Sequence, residues 1–298
     1  MSRTSRRSKK TRRSAIARSA SRPCADVAIT RLCRLAGLSR QAYYQGCRAR
    51  ERRDVDEDAV VEQVRQQRKL HPRMGTRKLC VVLDTILHDM DITIGRDHLF
   101  ALLRERGLLV ERRRRYARTT DSRHGFRVWP NRIRHIVPSM PNQVWVSDLT
   151  YVRTEEGFMY LSLVTDAFSR KVLGYCISDS LEAQGCIEAL RMALRTAPIG
   201  ACPIHHSDRG TQYCCQDYIA LLQKRGCPVS MTEINHCYEN AKAERLNGIL
   251  KDEYALGQTF RNKRHAKTAT HEAILLYNAY RPHTRLNFQT PETAHAAA

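Results

Sequence analysis

Residues 204–213, "IHHSDRGTQY", hold the pattern that decides the fold of this chain. Apolar and histidine side chains lead to a single acidic residue, Asp208, and Gly210 follows it as a turn residue. This is the pattern of a buried strand that ends on a carboxylate. A buried carboxylate needs partners, because an unpaired charge inside a protein is costly. The partners must come from elsewhere in the sequence.

Strand-like and helical segments alternate on both sides of this stretch. The runs "VWVSDLTYV" at 144–152, "MYLSLVTD" at 159–166 and "VLGYCI" at 172–177 precede it, and "PVSM" at 228–231 follows it. Residues 182–195, 216–225 and 240–254 have apolar side chains at helical spacing. Three consecutive strands followed by alternating helices and strands predict an α/β domain over 142–298. We expect a mixed sheet flanked by helices.

The positive charge of the chain is concentrated in its first half. Residues 1–140 hold 34 Lys or Arg and 14 Asp or Glu, a net charge of +20, whereas residues 141–298 hold 17 and 16, a net charge of +1. The first half is therefore typical of a protein that binds a polyanion. No apolar run is long enough for a membrane span. The 11 cysteines include no C-x-x-C pair, which favours reduced thiols and the cytosol.

The N-terminal region predicts a DNA-binding motif behind a basic tail. Residues 1–21 read as a disordered cationic tail, and residues 22–50 as a helix-turn-helix. Ser39 is suited to the N-cap of the second helix, a short one, and Ser39, Arg40 and Gln41 stand where such motifs meet base edges. A plain helical hairpin is the alternative.

A second helical unit is expected over residues 55–117, with a linker over 118–141. Its helices end near Pro72 and Gly107, and residues 108–110 are expected to start a strand, as in a winged helix. The wing would carry a run of arginines that contacts phosphate: Arg112, Arg113, Arg114 and Arg115. The alternative for this run is a solvated charged surface.

Three carboxylates predict a metal site in the α/β domain. Asp148 ends the core of the first strand and Asp208 ends the fourth, and Glu244 lies on the last predicted helix. On that helix Glu244 shares a face with Ala241, Gly248 and Lys251, opposite an apolar face. Three acids at one site repel each other unless cations neutralise them. Hard oxygen ligands suit two Mg²⁺ or Mn²⁺ ions, which could act on a phosphodiester.

The spacing of these acids resembles the signature of a known family. There are 59 residues between Asp148 and Asp208 and 35 between Asp208 and Glu244. With the words "DAFSRKVLGY", "HSDRGTQY", "ENAKAERLNGILKDEY" and "YNAYRPH", the chain resembles the OrfB-type insertion-sequence transposases, which share the DDE catalytic core of retroviral integrases.

The resemblance implies an RNase H-like fold and a transposase that cleaves and joins DNA. Asp148, Asp208 and Glu244 would be the catalytic metal ligands, and Lys251 would contact the DNA end. The expected partners are double-stranded DNA, as terminal inverted repeats and target, further copies of the chain, and the OrfA product or an OrfA fusion. The expected location is the bacterial cytoplasm, in association with the nucleoid.

Two other functions are compatible with the same sequence. One is a catalytically inactive DNA-binding regulator, and the intact trio of acids argues against it. The other is a nuclease that acts on RNA–DNA hybrids, and the helical DNA-reading units argue against it.

Several residues near the predicted site have simpler interpretations. Asp166 is interpreted as a structural turn residue. His205 and His206 are expected to divide between the core and the edge of the site, with packing favoured over a metal role. Arg281 and His283 are expected either to touch DNA or to cap the domain.

Overall fold

The structure, a computed structural model, describes residues 29–110, 127–233 and 241–297. The chain divides into two compact units, residues 1–62 and 63–298. Among the residues described, no helix has the length and apolar character needed to cross a bilayer. The cysteines in this part of the chain are all free thiols.

The described helices begin with α1 (Ile29–Ala36) and α2 (Arg40–Leu70). The predicted N-cap is confirmed, because the Ser39 Oγ accepts a hydrogen bond from the Ala42 backbone N–H at 3.0 Å. The predicted short second helix is wrong, since α2 continues for 31 residues. Its middle, "RARERRDVDEDAVVEQ" at 48–63, is rich in strong helix formers and contains no proline or glycine, so nothing ends the helix there.

Two further helices follow in the second unit, α3 (Thr76–Asp89) and α4 (Arg96–Glu105). Leucines at helical spacing form their buried faces: Leu79, Leu83, Leu87, Leu99, Leu102 and Leu103. Residues 108–110 are not in a strand, against the prediction. None of the strands in the described part of the chain pairs with this segment, and an unpaired strand is not stable.

A mixed sheet forms the centre of the second unit. Its strands are β1 (Val144–Thr154), β2 (Gly157–Asp166), β3 (Val172–Ser178), β4 (Ile204–Ser207), β5 (Val229–Met231) and β6 (Thr259–Phe260). The order is β3-β2-β1-β4-β5, and β6 pairs with the far end of β1. The first three strands are antiparallel, whereas β4 and β5 run parallel to β1.

Helices cover both faces of this sheet, which confirms the predicted α/β architecture. They are α5 (Ala183–Thr196), α6 (Thr211–Cys214), α7 (Gln216–Lys224), α8 (Ala241–Glu253), α9 (Lys263–Tyr280) and α10 (Pro291–Ala296). A short 3₁₀ turn, Thr284–Leu286, precedes α10. The predicted boundaries of the sheet strands and of α5, α7 and α8 lie within a few residues of these.

Alternation along the strands divides the core into two clusters. Trp145 and Val164 pack with side chains of α5 and α7, such as Leu190 and Leu222. Leu161 and Leu163 belong to the other cluster, which side chains of α8 and α9 complete. Since alternate residues of a strand point to opposite faces, α8 lies on the face opposite to α5.

Candidate active site

The pairing of β1 with β4 brings Asp148 and Asp208 to the same end of the sheet. Val146 pairs with His206 in a parallel register whose offset is 60 residues. The residue numbers of Asp148 and Asp208 also differ by 60. The same register therefore places them side by side, two residues beyond the pair of Val146 and His206. Asp148 also points to the same face as Val146, which packs against Ala243 of α8. The carboxylates at this end of β1 and β4 therefore face α8.

Helix α8 presents Glu244 on its exposed side, as its periodicity predicts. Its buried apolar side chains are Ala243, Leu246, Ile249 and Leu250, all of which pack inward. Glu244 lies in the first turn and is exposed. The opposite burial of these two faces follows from the 3.6-residue repeat of the helix.

The surroundings of the Asp148 carboxyl raise its pKa. Burial raises its pKa from 3.8 to about 7, and the negative charge of Asp208 adds to the effect. Glu244 contributes in the same direction, so the three acids act on one another. Hydrogen bonds from the Leu149 backbone and from Asn247 oppose the shift. Burial and the charge of Asp208 therefore disfavour an ionised Asp148 unless a positive charge approaches it.

Asn247 is a site residue that the sequence reasoning missed. Its Nδ2 donates a 2.7 Å hydrogen bond to the Asp148 Oδ2, and the asparagine is largely buried. The available signal was its place three residues after Glu244, because residues three apart on a helix are neighbours. Asn247 links the helix that carries Glu244 to the strand that carries Asp148.

Gly210 holds the Asp208 carboxylate in a tight turn. Its backbone N–H donates to the Asp208 Oδ1 at 3.0 Å. A Cβ at this position would stand 3.1 Å from that same oxygen, closer than nearly all real Cβ contacts. A glycine therefore lets the backbone reach the carboxylate, which accounts for the turn that follows the strand.

Lys251 lies at the edge of the site, two turns after Glu244. Its Nζ is 4.3 Å from the centre of the Tyr151 ring, within the range of a cation–π contact. Burial lowers the pKa of Lys251, while the charge of Asp148 raises it. Tyr151 is a second residue that the sequence reasoning did not single out. It orients the ammonium group near the carboxylates.

The donor set at this site fits a hard divalent cation. Asp148, Asp208 and Glu244 supply carboxylate oxygens, which Mg²⁺ and Mn²⁺ prefer. The burial of Asp148 beside Asp208, which raises the pKa of Asp148, favours a cation, because a positive charge there would offset the cost of burial and the repulsion. Within residues 29–110, 127–233 and 241–297, no three His, Cys, Asp or Glu side chains are already close enough to hold a metal ion. The structure therefore does not bring Glu244 within ligand distance together with both aspartates, and Glu244 would have to approach them to complete the ligand set.

The two histidines before Asp208 are both structural. The His205 Nε2 meets the Ser147 Oγ at 2.7 Å and the Tyr218 hydroxyl at 2.8 Å. The His206 Nδ1 meets the Ser230 Oγ at 2.9 Å. Both side chains are buried, which confirms the expected packing role, and His206 pairs with Val146 on the face of the sheet that carries Asp148. The two faces of β4 are both covered, which leaves neither ring near solvent.

Asp166 has the structural role that the sequence indicated. It is fully buried, and its Oδ1 accepts hydrogen bonds from the backbone N–H groups of Phe168 and Ser169 and from the Ser169 hydroxyl. Its Oδ2 accepts from the Asn142 N–H at 2.7 Å. The bonds to Phe168 and Ser169 fix the turn after β2, and the bond from Asn142 ties that turn to the residues just before β1.

The residues of the first half that are predicted to contact DNA are distant from this site in the sequence. Arg40 and Gln41 are exposed in the first turn of α2. The arginine run Arg112–Arg115 lies outside the described residues.

Arg281 is a structural residue and not a DNA contact. Only 2% of it is exposed, and it forms a bidentate ion pair with Glu253. Its Nη1 donates to the His283 Nε2 at 2.8 Å. Burial lowers the pKa of His283 to about 3, and Arg281 adds to the effect, so the imidazole is neutral and can accept. Of the two alternatives, these contacts favour the capping role for Arg281.

The chain is similar to known proteins over most of its length. Two family models, both described as "Integrase core domain", match residues 138–237 and 225–291. An uncharacterised 31 kDa protein of insertion element IS600 from Shigella sonnei is 36% identical over 87% of this chain and 96% of its own length. The transposase InsF of insertion sequence IS3A from Escherichia coli K12 is 31% identical over 90% and 94%.

Two solved structures are similar at lower identity. The HTLV-2 integrase catalytic core domain, determined with magnesium, is 18% identical, with a TM-score of 0.42 over 53% of this chain and 98% of that one. A simian T-cell lymphotropic virus intasome is 17% identical, with a TM-score of 0.46 over 74% and 70%.

Proposed function

Because the chain belongs to the IS3-type insertion-sequence transposases, DDE-type polynucleotidyl transferases with an integrase core domain, we propose that it cuts and rejoins the ends of its own element. Water would hydrolyse one phosphodiester at an element end and leave a 3′-hydroxyl, which would then attack a phosphodiester of a target strand and displace its 3′-oxygen. The observation that supports this proposal most directly is that Asp148 and Asp208 lie at the same end of two paired strands, beside α8.

Asp148, Asp208 and Glu244 would hold two Mg²⁺ or Mn²⁺ ions, which when bound stabilise the attacking and leaving oxygens of a phosphodiester. The residues of the chain itself would do the positioning. Asn247 would keep the Asp148 carboxylate in one orientation through its 2.7 Å hydrogen bond. Lys251, held against Tyr151, would contact a phosphate at the DNA end.

The DNA would reach this site along the exposed side of α8. The basic first half of the chain would supply most of the affinity, with base contacts from Ser39, Arg40 and Gln41 and phosphate contacts from the run Arg112–Arg115. We further propose that the protein acts as a homo-oligomer on DNA, with the OrfA product or as an OrfA fusion, in the cytoplasm at the nucleoid.

The direct test is cleavage of a duplex that carries the element's terminal repeat and its flanking DNA. With Mg²⁺, the full chain should release the flanking strand and join the new end to a second duplex, and with EDTA it should do neither. Binding without any cleavage would identify an inactive regulator. Cleavage confined to the RNA strand of a hybrid would identify an RNase H-type nuclease. Either result would contradict the proposal.

Gly248 gives a prediction in which stability and activity move in opposite directions. A Cβ at this position would meet no atom of the chain within 4 Å, so nothing inside the protein requires a glycine there. Gly248→Ala should therefore raise the free energy of unfolding by up to about 1 kcal/mol, since glycine disfavours a helix interior. If the open space admits the DNA backbone, cleavage should fall about tenfold or more. Urea unfolding and the cleavage assay measure the two effects.

The control is Gln223→Ala, because Gln223 lies on the exposed side of α7 and its replacement alters a helix surface away from the site. Gln223→Ala should leave cleavage unchanged. Gly248→Ala with full activity would show that DNA does not approach α8 at this point.

A further inference from the structure

A buried cluster of charges lies at the C-terminal end of α8, far from the carboxylates. Glu253 accepts from the Arg281 Nε and Nη2, both at 2.8 Å, and from the Lys78 Nζ at 2.8 Å. Lys78 belongs to α3, and Arg281 directly follows α9. We call Lys78, Glu253 and Arg281 the α8 clamp. Three segments distant in sequence thus meet on one side chain.

The clamp is shielded from solvent. The side chains of Lys78 and Glu253 are each 18% exposed, and that of Arg281 is 2% exposed. Burial alone would raise the pKa of Glu253, yet the hydrogen bonds and charges of Arg281 and the charge of Lys78 lower it to about 2. The glutamate is therefore ionised at all physiological pH values. Buried ion pairs contribute less to stability than to fixing a geometry in several systems.

A second contact fixes the same end of α8. The His71 Nδ1 meets the Tyr254 hydroxyl at 3.1 Å, and the two rings pack edge to face with centres 5.8 Å apart. The Arg73 N–H donates to the Glu253 carbonyl oxygen at 3.2 Å. Residues 71–78 thus hold the backbone and the side chain of Glu253 and the side chain of its neighbour Tyr254. These contacts oppose a shift of α8 along its axis and a rotation about that axis.

The other end of α8 carries the groups of the active site. Glu244 is nine residues before Glu253, a distance of about 13 Å along a helix at 1.5 Å per residue. Asn247 lies between them and donates to Asp148. Because a helix moves as a rigid element, a displacement at Glu253 is passed to Glu244 and Asn247. A misplacement of about 1 Å at a catalytic group can cost up to about a hundredfold in rate.

We propose that Lys78 is a positioning residue for catalysis: through Glu253 it fixes the axial and rotational setting of α8, and it thereby joins the helical unit of α3 and α4 to the active site. The inference rests on the proposed cleavage reaction. It assigns to α3 a role in aligning the catalytic carboxylates, separate from any contact that this unit makes with DNA.

Lys78→Met is the variant that tests this role. It removes the link to α3 while the bidentate Glu253–Arg281 pair remains, so the domain should stay folded. The measurement is the single-turnover rate constant for cleavage of terminal-repeat duplex, with the full chain in excess and at saturating Mg²⁺. Misfolded molecules lower the amplitude of this reaction and not its rate constant. We expect the rate constant to fall about tenfold or more, with the dissociation constant for DNA within about twofold of wild type.

Two matched variants separate positioning from other effects. Lys78→Arg keeps the positive charge and should recover the rate constant to within about threefold of wild type. Arg191→Met removes the cation of an exposed pair with Glu188 on α5 and should change nothing.

A rate constant for Lys78→Met that equals wild type would overturn the proposal. A loss confined to DNA affinity, or no recovery by Lys78→Arg, would overturn it as well. If the wild-type chain itself failed to cleave, the proposed function would fall, and that result is distinct from each of these.

Discussion

Glutamine in place of Glu244 is expected to lower Mg²⁺-dependent cleavage and joining about a thousandfold or more, with the fold and the DNA affinity kept. Glu244 is the carboxylate of the proposed site that α8 supplies, so no strand residue of the site can replace it. The loss would be large because glutamine lacks the negative charge that a divalent cation requires. Glu244 is exposed, so its replacement breaks no packing. Its charge also raises the pKa of Asp148, so its removal relieves repulsion.

The control for this variant lies on the same helix. Asp252 is exposed near the end of α8, and Asp252→Asn should keep activity within about twofold of wild type. Glu239→Gln is the rival change, because Glu239 is an acidic residue shortly before α8 and lies outside the described residues. Folding is checked by circular dichroism and binding by a gel-shift assay. If Glu244→Gln keeps near-normal activity while Glu239→Gln loses it, Glu244 is not the third carboxylate.

Replacing Arg281 with methionine is expected to lower the free energy of unfolding by about 3–5 kcal/mol. The guanidinium makes two hydrogen bonds to Glu253 and is almost fully buried, so its loss leaves a buried carboxylate with Lys78 as its main partner. Breaking one member of a buried ion pair costs more than removing the whole pair, because the remaining charge is uncompensated. Urea unfolding at pH 7 measures the change.

The exposed Arg285 provides the comparison, and Arg285→Met should change the unfolding free energy by less than about 0.5 kcal/mol. The triple variant Lys78→Met, Glu253→Leu and Arg281→Met should recover most of the lost stability, because no buried charge remains. An Arg281→Met protein as stable as wild type would show that the α8 clamp contributes no net stability.

The pH dependence of the wild-type protein offers a second check on the clamp. The folded-state pKa of Glu253, about 2, is below its ordinary value of 4.5. The ionised glutamate therefore stabilises the fold above pH 4.5, and this contribution is lost as the pH falls from 4.5 toward 2. The stability difference between wild type and Arg281→Met should shrink over the same range. A difference that stays constant from pH 5 to pH 3 would contradict the assigned ion pairs.

The sequence was sufficient for the sheet and for the helix that carries Glu244, because their apolar periodicity is strong. Asp148 and Asp208 could be placed at neighbouring strand ends for the same reason. The length of α2 was not predicted. A charged segment without apolar periodicity was interpreted as the boundary between two helical units, although its residues are good helix formers.

Contacts between distant side chains could not be predicted from one sequence. The bond from Asn247 to Asp148 spans 99 residues, and the bond from Lys78 to Glu253 spans 175. Each depends on how whole elements pack. Glu253 and Arg281 are charged residues in surface-like patterns, and only the structure shows that Arg281 is buried and that Glu253 is mostly shielded from solvent. The place of His206 could not be predicted for a similar reason, because its hydrogen bond to Ser230 forms across the pairing of β4 with β5.

The parallel pairing of β1 with β4 has a consequence for how such sites tolerate insertions and deletions. Residues 197–203 form the loop before β4, and Ile199 is fully exposed there. A residue inserted in this loop would change the spacing between the two aspartates but leave both carboxylates where they are. The same insertion within Ile204–Ser207 would turn Asp208 to the opposite face of the sheet. Distant relatives are therefore better aligned by the ends of these two strands than by the number of residues that separates their aspartates.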